Sequence, residues 1–269
     1  MYGSDPVRLG EKAFMKLTVL GCSGGIGGAS ARTTAFLVDD DVLVDCGTGV
    51  GDLELDALKR IDHIFITHSH LDHIASIPLL VDSVGDGRGY PLTVYATPET
   101  LRILRSHIFN WLVWPDFSSI PDRQRPFMRF QPMLLGESVS LGGRVFTALP
   151  AHHTVPAVSY CIDSGQAQLL YSGDTAYCPE LVEAINALPA LRHLIVETAF
   201  PDEQRGLAMA SRHLCPGMLA TMLSELSVAP EVYISHLKPG MGERILQQIE
   251  SHGGRLRPQA LVQGQVIEF

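Results

Sequence analysis

The chain has 269 residues, of which 46% are hydrophobic and 18% are charged, and its formal net charge is −9. This length and hydrophobic content are enough to bury a large core, as one large domain or two small ones. The negative charge argues against RNA or DNA as a long polyanionic partner, because nucleic-acid affinity depends on Lys and Arg side chains that neutralise many phosphates. A small anionic substrate stays compatible with this composition.

Targeting and redox signals are absent from the sequence. It contains no run of eighteen apolar residues, and residues 1–5 form neither a basic n-region nor an apolar h-region. We therefore expect no membrane partner and a cytoplasmic location. The five cysteines show no close pairing, which indicates reduced, mostly buried thiols rather than a disulfide framework or a zinc finger.

Hydrophobic periodicity predicts strands that alternate with helices along the chain. The predicted strands, in chain order, lie at 16–20, 34–38, 42–47, 61–66, 92–96, 145–149, 157–162, 168–171, 195–200 and within 232–239. Helices are predicted at 53–60, at 74–83, at 97–106 with Thr97 as its N-cap, and from within 211–216. Residues 118–131 are predicted to be a loop rich in proline and arginine. This alternation favours a layered α/β sandwich over residues 15–269, with residues 1–14 as an N-terminal extension.

A glycine-rich segment, Gly21–Gly28, follows the first predicted strand and invites interpretation as a phosphate-binding loop. Its spacing departs from G-x-G-x-x-G, and the next predicted element is a strand rather than a helix, so no helix N-terminus is available for a phosphate. We expect a flexible loop close to the functional site instead.

The most informative segment is Thr67–His73, which reads Thr-His-Ser-His-Leu-Asp-His at a predicted strand-to-helix turn. Side chains alternate in an extended segment, so His68 and His70 point the same way, while the turn swings Asp72 and His73 towards a second point. The pattern predicts that two metal ions a few ångströms apart share this turn.

Further potential ligands follow later predicted strands, namely the pair His152 and His153, then Asp174, and finally His236. Two predicted metal sites result, one formed by His68, His70, His153 and Asp174 and the other by Asp72, His73, Asp174 and His236. Asp174 is able to bridge them. Nitrogen-rich sites of this kind suit zinc, and manganese and iron are also compatible. Asp45 is predicted either to accept a hydrogen bond from a metal-binding histidine or to form a turn before Gly47.

These motifs resemble the metallo-β-lactamase superfamily, whose αββα sandwich holds a dinuclear metal centre, and the resemblance spans residues 16–269. Within that superfamily, five motifs are similar to those of the class II cyclic-nucleotide phosphodiesterases. They are the histidine motif at 68–73, the aromatic run at 107–117, Glu-Thr-Ala-Phe-Pro at 197–201, Arg-His-Leu-Cys-Pro at 212–216 and Ile-Ser-His-Leu-Lys-Pro at 234–239. Two departures stand out: Pro78 falls within the helix after the metal turn, and Arg212 stands where the family is expected to have glycine.

The resemblance implies a dinuclear metal-dependent phosphodiesterase that hydrolyses 3′,5′-cyclic nucleotides, cyclic AMP or cyclic GMP, to 5′-monophosphates. Two divalent ions, zinc by expectation, would supply a hydroxide as nucleophile at neutral pH. The implied catalytic residues are Asp72, His213 and Glu197, with His213 as general acid positioned by Glu197. The implied substrate-binding residues are Lys238, Trp111 and Trp114, the tryptophans by stacking on a base. Related hydrolases place the ligand seven residues before a tyrosine, and because Tyr160 is present this favours His153 over His152.

Other functions fit parts of the same pattern. A tRNA 3′-processing endonuclease, similar to RNase Z, shares the metal ligands but is expected to carry a basic, glycine-rich arm, which this sequence lacks. A thiol-ester or lactone hydrolase is a further alternative, but that activity assigns no role to the aromatic run at 107–117. A non-catalytic nucleotide sensor is disfavoured because every expected ligand position is filled. The sequence leaves homodimer formation open.

Overall fold

The computed structural model describes residues 14–269, in which two seven-stranded sheets face each other and helices cover their outer faces. The elements of the first half are β1 (Lys16–Gly21), β2 (Ala35–Val38), β3 (Val42–Val44), α1 (Leu55–Leu58), β4 (His63–Phe65), α2 (Leu71–Ile74), α3 (Ile77–Val84), β5 (Leu92–Ala96), α4 (Pro98–His107) and β6 (Met128–Pro132). The extension predicted at residues 1–14 lies outside the described residues except for its last residue.

The second half supplies the other sheet and its helices. Its elements are β7 (Ser138–Leu141), β8 (Arg144–Pro150), β9 (Val158–Asp163), β10 (Gln168–Tyr171), α5 (Pro179–Asn186), β11 (Leu191–Glu197), α6 (Arg205–Ser211), α7 (Pro216–Ser224), β12 (Glu231–Ser235), α8 (Gly242–His252), β13 (Gln259–Ala260) and β14 (Val266–Glu268). The strand orders are β14-β1-β2-β3-β4-β5-β6 in the first sheet and β13-β12-β11-β10-β9-β8-β7 in the second. The last strand, β14, therefore joins the first sheet beside β1.

Alternation of side chains along the central strands builds the four layers. In β4, Phe65 points into the core between the sheets while Ile64 points towards α3 and α4. In β10, Tyr171 points into the central core and Leu170 towards the helices of the other face. Apolar residues on both faces of a strand require cover on both sides, so the αββα sandwich expected from the sequence is confirmed.

Most predicted elements are present, and two predictions need correction. The loop predicted at 118–131 is wrong at its end, because β6 pairs in parallel with β5 along the edge of the first sheet. The helix predicted at 74–83 starts too early, because α2 ends at Ile74 and the following helix, α3, covers Ile77–Val84. Pro78 therefore stands in the first turn of α3, where a backbone N–H is not needed for the helix.

The topology brings polar strand ends together. Strands β3 to β6 run parallel to one another, as do β10, β11 and β12, and β8 shares their direction because β9 is antiparallel to both β8 and β10. The carboxyl ends of these strands consequently lie along one edge of each sheet. Within residues 14–269, no helix combines the length and apolar content that a bilayer crossing requires.

Candidate metal centre

The carboxyl-end loops of β4, β8 and β10 bring the first predicted ligand set into one cluster. His68 Nε2 lies 3.5 Å from Asp174 Oδ2, and His153 Nε2 lies 3.8 Å from the same oxygen. His70 Nδ1 lies 3.1 Å from His153 Nε2. One potential ligand atom from each of these four residues lies within 4.8 Å of the others, which is a geometry able to hold one metal ion.

The second set lies directly beside the first. Asp72 Oδ2 is 3.9 Å from His73 Nε2 and 3.8 Å from His236 Nε2. Asp174 reaches this set too, with its carboxylate 3.4 Å from His73 Nε2 and 3.1 Å from His236 Nδ1. His213 also comes within 4.8 Å of Asp174 and His236. Asp174 is therefore the one carboxylate that borders both predicted metal positions among the described residues.

Whether these residues suit metal ions can be judged from the buried polar atoms that make no hydrogen bond. Among the described residues, four such atoms of the cluster have no hydrogen-bond partner, namely His68 Nε2, His73 Nε2, Asp174 Oδ1 and His236 Nδ1. Buried polar atoms rarely stay unpaired, because the lost hydration costs free energy that nothing replaces. Imidazole nitrogens and carboxylate oxygens that converge in this way suit zinc or a similar divalent ion, so the donor set fits the group that the sequence predicts.

A hydrogen-bond relay behind the cluster orients two of the histidines. Asp45 Oδ2 accepts a hydrogen bond from His73 Nδ1 at 2.7 Å, and the Thr67 hydroxyl donates to Asp45 at 2.9 Å while lying 3.0 Å from His68 Nδ1. This pattern places a proton on Nδ1 of both His68 and His73 and turns each Nε2 towards the cluster, where it can bind a cation when it carries no proton. Of the two predictions for Asp45, the structure supports the acceptor.

Asparagine at position 45 is expected to weaken metal binding by about 10-fold to 100-fold, because it removes the charged acceptor that orients His73. Competition with a chromophoric chelator measures the affinity. Asp56→Asn is the matched control, since Asp56 is an exposed residue of α1 whose carboxylate pairs with its neighbour Lys59. An affinity in Asp45→Asn equal to that of the control would contradict this assignment.

Burial sets the charge of most histidines in the cluster. It lowers the pKa of His68, His70, His153 and His236, in the case of His153 to about 4. These imidazoles are consequently neutral at pH 7, which is the form that donates a lone pair to a metal ion.

His73 differs from the other histidines. Burial lowers its pKa, but Asp174 and Asp45 raise it further, so the net pKa lies well above the ordinary value. Burial likewise opposes ionisation of Asp174, yet His236 and His73 hold the pKa of this carboxyl well below its usual range. Metal binding must expel the proton of His73, and the metal affinity of the cluster therefore falls as the pH is lowered.

Left-handed backbone conformations concentrate at the cluster. Asp45, Arg212 and His236 have φ values of 57°, 54° and 61°, and they are three of the five non-glycine residues with positive φ in the described part of the chain. Each such residue costs about 1–2 kcal/mol relative to right-handed backbone, so the surrounding contacts must hold it in place. Such strain is typical of functional sites.

His213 and Glu197 form a buried pair beside the second set. His213 Nδ1 donates to Glu197 Oε1 at 2.8 Å, and the carboxylate also accepts backbone N–H groups from Thr175 and Leu214. Burial lowers the pKa of His213, but Glu197 raises it above the ordinary value. The structure thus pairs the two residues that the sequence predicts as general acid and orienting carboxylate, and their catalytic roles stay predictions.

In the variant Glu197→Gln, we expect the rate to decline on the alkaline side of the pH profile at a lower pH than in the wild type. A general acid works only in its protonated form, so the rate falls as the pH rises through the pKa of His213. Removal of the negative charge lowers that pKa. A kcat–pH profile of the metal-loaded protein measures the shift, and an unchanged high-pH limb would exclude His213 as the titrating group.

The glycine-rich loop packs against His236 rather than forming a phosphate cradle. A Cβ atom at Gly24 would lie 2.7 Å from His236 Cδ2, so only glycine fits this approach. Lys238 Nζ donates to the Gly24 carbonyl at 2.7 Å and lies 3.4 Å from His236 Nε2. The predicted phosphate-binding lysine is thus at the cluster, and the loop lies close to the site as expected.

The structure does not bring the two tryptophans to the cluster. The turn that contains Trp111 and Trp114 leads to Phe117, whose carbonyl accepts from Met128 at the amino end of β6. Met128 pairs with Leu92 at the start of β5, and the cluster lies at the opposite ends of these strands. Trp114 packs against the helix-layer core and Trp111 is 61% exposed. Their role in substrate binding stays a prediction that this geometry does not support.

Residues 41–240 match the sequence family described as the beta-lactamase superfamily domain. The chain belongs to this superfamily. Among the curated superfamily relatives that it resembles, a probable 3′,5′-cyclic-nucleotide phosphodiesterase of Yersinia pestis is 27% identical over 206 residues, which are 74% of this chain and 54% of that protein. A ribonuclease Z of Clostridium beijerinckii is 31% identical over 156 residues, which are 54% of this chain and 48% of that protein.

The chain thus spans about half the length of these two superfamily relatives. Among solved structures, unliganded yeast PDE1 is similar with a TM-score of 0.78 at 20% identity, and the alignment covers 96% of this chain and 100% of that chain. At this level of identity the likeness concerns the fold, and it agrees with the superfamily sandwich described above.

Sequence analysis did not predict the roles of two residues that hold the cluster in place. Thr67 links Asp45 to His68, and its place directly before the first histidine was the available signal. Arg212 holds His153 at both ends, because its carbonyl accepts from His153 Nδ1 at 2.9 Å and its guanidinium donates to the His153 carbonyl at 2.6 Å. The adjacent His152 is exposed, and the cluster contains His153 instead.

Proposed function

We propose that this protein is a dinuclear metal-dependent phosphodiesterase that hydrolyses 3′,5′-cyclic nucleotides to 5′-monophosphates. The observation that carries the proposal is the single buried carboxylate, Asp174, between two histidine-rich half-sites, with the His213–Glu197 pair beside them. These residues would hold two divalent ions, which would supply Lewis-acid polarisation of a phosphoryl group and a water of lowered pKa, as in-line displacement at phosphorus requires.

The metal-binding residues in this proposal are those predicted from the sequence, in two sets that share one member. The first set is His68, His70, His153 and Asp174. The second is Asp72, His73 and His236, and Asp174 is its shared member because its carboxylate lies 3.4 Å from His73 Nε2 and 3.1 Å from His236 Nδ1. The first set offers three nitrogens and one oxygen, and the second offers two nitrogens and two oxygens. Both combinations favour zinc, with manganese or iron as alternatives.

The protein's own residues then manage the protons and the phosphate charge. The side chain of Asp72 is 27% exposed, while those of His73, His236 and Asp174 are at most 1% exposed, so Asp72 is the member of the second set most open to water. Its carboxylate accepts the proton of the attacking water. Lys238, beside His236, binds a phosphoryl oxygen.

The leaving group needs a proton because an alkoxide is a strong base. As the water oxygen bonds to phosphorus, the bond from phosphorus to the 3′-oxygen breaks, and His213 Nε2 donates its proton to that oxygen. Glu197 keeps the imidazole oriented and favours its protonated form. The product of this step is the 5′-monophosphate.

A tRNA 3′-processing endonuclease is the second candidate, because a relative with the printed name ribonuclease Z aligns to half of the chain. It would use the same cluster. The net charge of −9 favours the small substrate, since tRNA binding requires extensive neutralisation of phosphates by Lys and Arg.

Hydrolysis assays with the zinc- and manganese-reconstituted protein test the proposal. The substrates are cyclic AMP, cyclic GMP, bis(p-nitrophenyl) phosphate and a tRNA precursor, and the products are separated chromatographically. Conversion of a cyclic nucleotide to its 5′-monophosphate supports the proposal. Cleavage of the tRNA precursor without turnover of either cyclic nucleotide would establish the second candidate in its place.

A further inference from the structure

A cavity of about 640 Å³ opens directly beside the first metal-binding set. The loops that follow β5, β6 and β8 form its walls, and His153 is one of its lining residues. Thr154, also in the lining, has its hydroxyl oxygen 3.5 Å from His70 Nε2. A substrate whose phosphoryl group lies at the cluster can therefore extend its organic part into this cavity, which has the size of a small-molecule site.

Apolar side chains dominate one wall of the cavity. Leu134 and Leu135 line it, and they are 54% and 59% exposed, so their side chains lie open to a ligand. Pro98 and Pro156 add rigid apolar surface, and Thr100 donates to the Pro156 carbonyl at 3.4 Å, which ties α4 to the loop after β8. Flat apolar walls of this kind suit an aromatic ring.

Two charged groups in the lining give the cavity its polarity. Arg212 stands on the side of the metal cluster, where its guanidinium donates to the His153 carbonyl. Glu99, in the first turn of α4, also lines the cavity, and within residues 14–269 its carboxylate takes no hydrogen bond and no ion pair. Both carboxylate oxygens are therefore free to accept hydrogen bonds from a ligand.

We infer that this cavity binds the purine base of the substrate, and that Glu99 makes the site prefer guanine over adenine. Guanine presents two neighbouring N–H donors, at N1 and at the exocyclic N2, and one carboxylate accepts both. Adenine presents a donor at N6 beside an acceptor at N1, so the same carboxylate meets one donor and one repelling lone pair. The inference rests on the proposed function, since it places the phosphoryl group of the same molecule at the metal cluster.

Glutamine at position 99 tests the inference by removing the charge while keeping the shape. We expect the wild-type protein to have a kcat/KM for cyclic GMP about tenfold or more above that for cyclic AMP, as charge-assisted hydrogen bonds imply. Glu99→Gln should lose most of this ratio through a higher KM for cyclic GMP. Hydrolysis of bis(p-nitrophenyl) phosphate, which has no purine, should not change.

Glu243→Gln is the matched control, because Glu243 is an exposed acidic residue in the first turn of another helix, α8. This variant should keep the wild-type preference. Equal kcat/KM values for the two cyclic nucleotides in the wild type, or a preference that survives in Glu99→Gln, would overturn the inference while leaving the proposed function standing.

If neither cyclic nucleotide is hydrolysed, the proposed function is overturned. The binding of the products, GMP and AMP, then tests the guanine site separately. Equilibrium dialysis of GMP and AMP against the zinc-loaded protein then decides the inference. Tighter binding of GMP that is lost in Glu99→Gln supports a guanine site, and equal binding of the two nucleotides overturns it.

Discussion

Replacement of Asp174 by alanine is expected to abolish turnover and to reduce the bound metal from two ions per chain to one or none. Asp174 borders both half-sites, with its carboxylate 3.5 Å from His68, 3.4 Å from His73 and 3.1 Å from His236. The alanine variant would lack the one carboxylate that either half-site would use to hold an ion, and the negative charge that balances the cluster. Metal analysis of the dialysed protein, together with the phosphodiesterase assay, measures both effects.

The stability of this variant needs its own control. In the metal-free protein, Asp174 is the buried counterion of His73, and removal of one partner of a buried pair costs about 3–5 kcal/mol. Asp174→Asn keeps the shape of the side chain and should be equally inactive while it folds more readily. Thermal unfolding of both variants identifies any loss of fold. A folded variant that retains two ions and wild-type turnover would refute the bridging assignment.

Replacement of His213 by alanine is expected to lower turnover of a cyclic nucleotide by roughly 10²–10⁴ with metal content unchanged. The 3′-oxygen of a nucleotide is a poor leaving group that needs the proton of His213 Nε2. A p-nitrophenolate leaves without a proton, so the same variant should lose much less activity on bis(p-nitrophenyl) phosphate. The ratio of the two losses is the informative quantity, because a structural defect would lower both rates alike.

His252 offers a matched control for this experiment. Its Nε2 lies 2.7 Å from Asp202 Oδ2, so it is also a histidine paired with a carboxylate, but it lies at the end of α8 outside the cluster. His252→Ala should leave both rates unchanged. An undiminished rate of cyclic-nucleotide hydrolysis in His213→Ala would remove His213 from the mechanism. Loss of a metal ion in that variant would instead make it a ligand, as its distance to Asp174 and His236 allows.

The sandwich and the positions of the cluster residues were predictable because they depend on local periodicity and on strand ends. Strands such as β4 and β10 are apolar on both faces, which requires cover on both sides. Within each sheet the carboxyl ends of the parallel strands meet at one edge, and the two edges lie together at the cluster. Polar residues in the loops after β4 and β10, such as His68 and Asp174, therefore come close to each other. The structure also brings in His153 while leaving His152 exposed.

The features that sequence analysis missed depend on contacts between distant segments. Thr67 gains its role only because Asp45, 22 residues earlier, folds against it. The left-handed conformation of Arg212 is likewise held by contacts with His153, 59 residues away. The short edge strand β6 was hidden because the prolines and arginines that precede it, at 121–126, favour a loop, and because Pro132 ends it. From the sequence, Trp114 is a potential stacking residue. In the structure it follows α4, which runs antiparallel to β5, so it lies far from the cluster and packs against the helix-layer core.

The most direct test of this account is the anomalous diffraction of crystals grown with zinc, collected at the zinc edge. We expect two peaks about 3.5–4 Å apart, the separation that is typical of two-metal hydrolytic sites, with the Asp174 carboxylate between them. One ion should contact His68, His70 and His153, and the other should contact Asp72, His73 and His236. A single peak at full zinc occupancy, or two ions without Asp174 between them, would contradict the account.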